Sequence, residues 1–348
     1  IVTVQLGCLA ATTILLGSRI QRVNRRLAAL AGAFAMIACG LALILNAPAV
    51  WLIAFLAVAG AGCGACNAAG SSLVSQAADP VRMASNCWGW IVIWQTAIWL
   101  ATPLATEHLG GRGLGVVLAV GSLAMIPWLL HMPAGGDVAA APKPSSGGAG
   151  AAATPSEPMT VPRALPLVYL PLMLGVAAFW LRDSLIWSLA ETRGTQLAID
   201  AAQLSRTLAI ASILGIIGPV AANYLGNRGG RKARVIVALI AVALVMQLIA
   251  TTDAASAYRL GFVFWTATSL FAWTYLTALA AEVDAAGRVV AMCSGVVFAA
   301  SASGPLLGGI LVDSGGGVGL SVAVATLSAL TIAALLMVFN VAAKRGAP

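Results

Sequence analysis

Eleven apolar runs, broken only by short clusters of charge, Gly or Pro, leave this chain few ways to fold. The first five are Ile1–Leu16, Leu27–Leu45, Val50–Gln76, Met83–Ala105 and Gly113–Leu130. Six more follow a polar interruption: Leu165–Leu189, Ala201–Leu225, Val235–Ala250, Tyr258–Ala281, Val289–Val312 and Val318–Val341. Most are close to the ~20 residues that a helix needs to cross the hydrocarbon core of a bilayer. Only 9% of the 348 residues are charged and the mean hydropathy is +0.96, so there are too few polar groups to cover a soluble globule. Within a bilayer only helices and closed barrels satisfy their own backbone hydrogen bonds. Barrel strands would alternate in polarity over segments of roughly 10 residues, whereas these runs are continuous and rich in Ala, Leu and Gly. The expected class is all-α and polytopic, with five transmembrane helices, then six.

The interruption, 131–163, reads in part APKPSSGGAGAAATPSEP and cannot bury enough apolar surface to order itself. It divides the chain into an N-terminal bundle (1–130), a linker (131–163) and a C-terminal bundle (164–348). Fourteen of the nineteen Lys and Arg residues fall on the linker side of the runs. Because cytoplasmic loops collect positive side chains, the linker and the C-terminus are expected in the cytoplasm of a cell whose inner membrane the chain spans. The net charge of +8 therefore belongs to topology, and no nucleic-acid partner is expected. The six cysteines lie inside apolar runs, where thiols act as small packing groups. Cys63 and Cys66 lack a second pair or a nearby histidine, and His108 and His131 stand alone, so neither a disulfide framework nor a metal site is expected.

Two short stretches recur at one offset. Gly17 to Arg26 reads GSRIQRVNRR and Leu225 to Arg234 reads LGNRGGRKAR; laying Arg22 on Arg228 aligns the basic pairs that follow, 206 residues apart. RMASNCWG from Arg82 and RVVAMCSG from Arg288 share the same 206-residue offset. Two anchors with one offset indicate an internal duplication. The same offset puts the counterpart of the Leu165 run before Ile1, so one further helix is expected upstream.

Ionisable groups inside the spans are scarce, and each costs about 2.5 to 3.5 kcal/mol at a helix centre on insertion scales. Asp183 stands within AAFWLRDSLIW. At 100° per residue it shares a face with Trp180, Trp187 and Glu191, with Arg182 roughly opposite. It is the candidate proton carrier; the other readings are an outer belt of Trp with a snorkelling Arg, or a permanent pair of Asp183 with Arg182 or Arg206 at the outer rim. Polar stripes at spacings of four or seven run through Asn67, Ser71 and Ser75, through Trp88, Gln95 and Thr102, and through Ser269, Trp273 and Thr277. They suit either a solute cavity or helix-to-helix hydrogen bonding. The sequence contains no GxxxxGK[ST] loop, HExxH or Ser/His/Asp set, so no enzyme and no cofactor is expected.

The two hinges resemble the loop motif of the major facilitator superfamily, GxLaDRxGRRK, which follows the second helix of each half. Arg82 and Arg288 match the Arg preceding the family's fifth and eleventh helices, and the linker matches its long central loop. Gly304-Pro305 with Gly308-Gly309 resembles the GPxxGG signature, and Gly60, Gly62 and Gly64 the glycine-rich fourth helix. Two departures stand out. Gln21 and Asn227 replace the motif's Asp, and Leu56 stands where the family's drug antiporters carry Arg. The resemblance implies a two-half bundle of 12 helices lacking its first here. Gly17, Arg22, Arg25, Arg26, Asn227, Arg228 and Arg231 would form the gate, with Arg22 and Arg228 as clamps. Gly304, Pro305, Gly308 and Gly309 would form a packing motif, and Asp183, Trp180, Trp187, Gln95, Asn67 and Trp273 the pathway. It further implies a monomeric secondary transporter of a small amphipathic or weakly polar solute, coupled to protons. A transporter-like receptor without transport is the alternative, and a membrane-embedded enzyme a weaker one. With native cysteines removed, an impermeant maleimide applied to intact cells is expected to label a cysteine at Gln196 but not one at Ser145; the reverse pattern would invert the topology.

Overall fold

The computed structural model describes residues 2–134, 166–226, 231–284 and 287–346; most of the linker, with Asn227 and Arg228, lies outside them. The described chain is helical: α1 (Val2–Ser18), α2 (Arg25–Ile44), α3 (Ala49–Ser75), α4 (Pro80–Leu109) and α5 (Arg112–Leu130), then α6 (Pro166–Ser188), α7 (Ala190–Gln196), α8 (Ala201–Gly215), α9 (Ile217–Leu225), α10 (Arg231–Thr251), α11 (Ala255–Val283) and α12 (Arg288–Gly346). Among the described residues nine segments are long and apolar enough to cross a membrane. Two of the eleven expected runs fall outside the nine. The apolar part of α1 is short, Thr3–Ser18, and α4 carries the polar side chains of Asn86, Gln95, Thr102 and Glu107. The starts of α2 and α10, and of α3 and α11, are each 206 residues apart.

Local chemistry sets the ends. Asn24, Asp79 and Asp200 accept the backbone N–H of Leu27, Arg82 and Gln203 at 3.1, 3.1 and 2.6 Å, supplying the acceptor that a helix start lacks. Asp284 does the same for Arg288 at 3.0 Å and pairs with its side chain at 3.1 Å. The run expected as one helix over Ala201–Leu225 breaks at Ile216. Pro219 explains the break, since its ring clashes with the carbonyl four residues back, that of Gly215. Within α12 the chain doubles back: Ser301 and Ser328, 27 residues apart, bond to Ser184 and Arg182 on one turn of α6. A straight helix would separate them by about 40 Å. The spans Arg288–Leu311 and Gly317–Val341 lie on either side of that reversal.

Packing is closest where glycines meet. Gly32 of α2 faces Gly62 of α3, and a Cβ on Gly62 would stand 2.8 Å from the Gly32 Cα. Gly60 and Gly64 lie against the α1 backbone at Gln5 and Leu9, and Gly304 and Gly308 against Ser184 and Ser188 of α6. Gly309 meets nothing within 4 Å, and Pro305 is exposed, so the expected packing motif narrows to Gly304 and Gly308. The largest core includes α11, whose Ala272–Ala281 stretch is buried throughout, together with residues of α6, α8, α9, α10 and α12 and with Val74, Val81 and Ala84 from α3 and α4. Gly32→Val should therefore destabilise the protein by the ~1–3 kcal/mol typical of overpacking, read as a lower melting temperature in detergent. Leu244→Ala, at a side chain 67% exposed, should leave it nearly unchanged, and equal shifts would refute the close approach.

Candidate functional site

The sequence carries two adjacent charges of α6 into the interior. Arg182 and Asp183 are 1% and 4% exposed, and Arg182 Nη2 donates to Asp183 Oδ1 at 3.1 Å. Arg182 Nη1 also donates to Ser328 Oγ at 3.1 Å, and its guanidinium lies 4.7 Å from the Phe179 ring centre. The other carboxylate oxygen accepts from Trp265 Nε1 at 3.2 Å. The two side chains thus meet although they leave the helix in different directions, so of the two pairings expected for Asp183 it is the one with Arg182 that forms. The long Arg side chain bends back to its neighbour, because an unpaired charge buried here would cost several kcal/mol.

Indoles fill the space beside the pair. Trp180 meets Trp273 edge-on at 5.3 Å, and Trp273 also contacts Phe179 at 6.3 Å and Trp88 of α4 at 5.9 Å. Trp187, half exposed, packs on Trp265 at 5.9 Å. The backbones of α6 and α11 stay apart, so these side chains occupy the gap between them. Within it Trp180 Nε1 and Trp273 Nε1 are buried without a hydrogen-bond partner. An indole N–H can only donate, so the gap presents unused donors beside a carboxylate.

The structure therefore brings together Trp180, Asp183, Trp187 and Trp273. It leaves two other expected pathway residues elsewhere. Asn67 accepts from Ser71 at 3.3 Å, and Ser71 in turn meets Ser294 of α12 at 3.3 Å. Gln95 is exposed, two turns along α4 from Trp88 on the same face. Trp265, Phe179 and Ser328 join the site from outside the expected pathway residues. Trp265 could have been among them: extending the stripe through Ser269 and Trp273 four residues back reaches it. Among the described residues no three His, Cys, Asp or Glu side chains gather as metal ligands.

At the basic end only one of the two expected clamps, Arg22, falls among the described residues. Arg22 is exposed in a short 3-10 turn, Ile20–Arg22, Arg228 lies outside the described residues, and so does the side chain of Arg231. The bonds come from Arg25, buried and donating to Gln76 Oε1 at 2.8 Å, and from Arg26, donating to the Met132 carbonyl at 2.8 Å. Gly17 permits α1 to press on Ala291 of α12, beside a small cluster of Ile20, Ala68 and Ala291. Gly287, at φ +81, sits against Ser72 of α3 in a conformation that glycine adopts without strain. In the second hinge Arg234 donates to the Leu225 and Gly226 carbonyls at the end of α9, and Tyr275 donates to Gly226 at 3.0 Å. At the basic end the start of α12 thus packs against α1 and α3.

Helices of these lengths, ringed by apolar side chains and enclosing a sealed polar pair, define a multi-pass membrane protein. Its fold is that of the major facilitator transporters. The chain superposes on the proton:xylose symporter XylE bound to 6-bromo-6-deoxy-D-glucose with a TM-score of 0.72 at 13% identity, covering 97% of this chain and 84% of that one. It matches the human organic anion transporter MFSD10 at 0.68 and 16% identity (97% and 81% covered), and the E. coli fucose:proton symporter FucP at 0.69 and 10% identity (96% and 90%). No family model matches the sequence, and no curated protein does.

Removing one member of the buried pair strands the other. Arg182→Met alone should cost about 3–5 kcal/mol of stability, and Arg182→Met with Asp183→Leu markedly less, read as melting temperatures in detergent. Additive losses in the double variant would deny the coupling.

Proposed function

We propose that the chain is a secondary active transporter that moves a small amphipathic or weakly polar solute by alternating access, coupled to protons. The observation that carries this reading is the Arg182–Asp183 pair, sealed among indoles in the gap between α6 and α11. Well-packed apolar residues would hold two helices at least as firmly as a buried ion pair. A pair kept there despite its cost points to use rather than to stability. Protonating Asp183 would cancel the attraction to Arg182 and release the Trp265 contact, loosening α6 from α11. Trp180 and Trp273, with unused N–H groups, would then offer flat apolar walls and donors to a solute bearing acceptor oxygens. The proton:sugar symporters among the similar folds fit this chemistry.

Alternating access needs two bodies. We assign 1–130 and 164–348 to them, as five and six helices joined by the linker 131–163. The common 206-residue spacing of α2 with α10 and of α3 with α11 supports that division. The contacts of Gly17, Ser71 and Ser72 with α12 and its approach would be the gate that parts when the basic side opens. We place that side in the cytoplasm of the inner membrane, with the C-terminus.

Purified protein in sealed vesicles, challenged with a panel of neutral and weakly charged solutes with and without a pH gradient, tests the reading. Solute-induced proton flux is expected in the wild type. Asp183→Asn should abolish gradient-driven accumulation while solute exchange continues. Unchanged proton flux in Asp183→Asn would remove the coupling role, and binding without any exchange would favour a receptor.

A further inference from the structure

A second place in the molecule combines polarity with an open shape. A cleft of about 160 Å³ lies between α4 and the α8–α9 segment, away from the indole cluster. Along α4 its wall runs from Ser85 and Asn86 to Trp90 and Ile93; along the other side it runs from Asn223 through Val220 to Ile216. The two stripes run in opposite chain directions, yet both place an amide at the basic end and apolar side chains toward the membrane interior. Asn86 and Asn223 are exposed, as are Trp90 and Val220. Ser85 donates to the Val81 carbonyl within its own helix, so the amides are the groups left to face an occupant. One turn nearer the basic end on the α4 stripe stands the exposed Arg82. Asp79, the nearest acid on that element, is committed to capping the Arg82 backbone N–H.

From this arrangement we infer a binding site for one glycerophospholipid, its phosphate toward Arg82, its glycerol-ester region between Asn86 and Asn223, and an acyl chain along Trp90, Ile93, Val220 and Ile216. The graded order of charge, amide and hydrocarbon is the order of groups along such a lipid, and lone amides facing hydrocarbon would otherwise go unsatisfied. The contrasting groove between α9, α10 and α11 has apolar walls with only Thr268 among them. Thr268 bonds its own helix, so that groove selects no head group. The lipid site is independent of the transport reading and would stand if that reading failed.

Native mass spectrometry of the full-length protein in mild detergent, titrated with phosphatidylglycerol or phosphatidylethanolamine, tests the site. One lipid should stay bound after detergent is stripped. Arg82→Gln should weaken it about fivefold, and Asn86→Leu with Asn223→Leu should weaken it further, while Leu248→Ala on the lipid-facing side of α10 changes nothing. If the double variant does not accumulate, Arg82→Gln and Asn86→Leu singly read the same point. Equal retention in every variant overturns the proposal. Displacement of the lipid by millimolar inorganic phosphate also overturns it, because the site would then hold an anion and not a lipid.

Discussion

A backbone in hydrocarbon has no water to bond, and the rest of this structure follows from that. Every described span is helical, and hydroxyls inside the spans fold back on their own helix, as Thr13, Thr96, Thr207, Thr274 and Ser328 do with carbonyls four residues earlier. Helix ends, where four N–H groups would go unpaired, fall at loops and recruit Asn24, Asp79, Asp200 and Asp284. With no hydrophobic drive between helices, cohesion comes from close approach, and Gly32, Gly62 and Gly304 supply it.

Against this background the Arg182–Asp183 pair is the exception that organises the interior. It fixes α6 to α12 through Ser328 and to α11 through Trp265, so three helices are registered by one charged cluster. The indoles around it do two things at once. They exclude water, which strengthens the pair, and they hold α6 and α11 apart by side-chain bulk, leaving a gap whose filling can rearrange without tearing backbone contacts.

Much of the fold was legible from the run lengths and the 206-residue offset, because bilayer thickness and helix rise leave little freedom. The break at Ile216 was also written in the sequence, as Pro219, but was hidden inside an unbroken apolar run. The site was legible in part. Period-3.6 reasoning placed Asp183 with Trp180 and Trp187, but a wheel fixes only where a side chain leaves its helix. It could not show that Arg182 would bend back over Phe179, nor that Trp265, on a helix 82 residues away, would supply the carboxylate's second partner. The hinges show the same limit. Repetition pointed to Arg25 and Arg26, which do bond at the first hinge, but not to Arg234, whose counterpart in the first hinge is an alanine, Ala28.

The interruption at Ile216 has a mechanical meaning. A continuous helix is a stiff rod that transmits torque along its length; two shorter helices joined at one residue do not. α8 is packed at its far end through the buried Leu204 against Gly194 of α7, while α9 is anchored at the basic end through Gly226, Tyr275 and Arg234. A twist applied at the basic end can therefore be absorbed at Ile216 instead of being passed along the span, so that one end of this segment turns while the other keeps its footing.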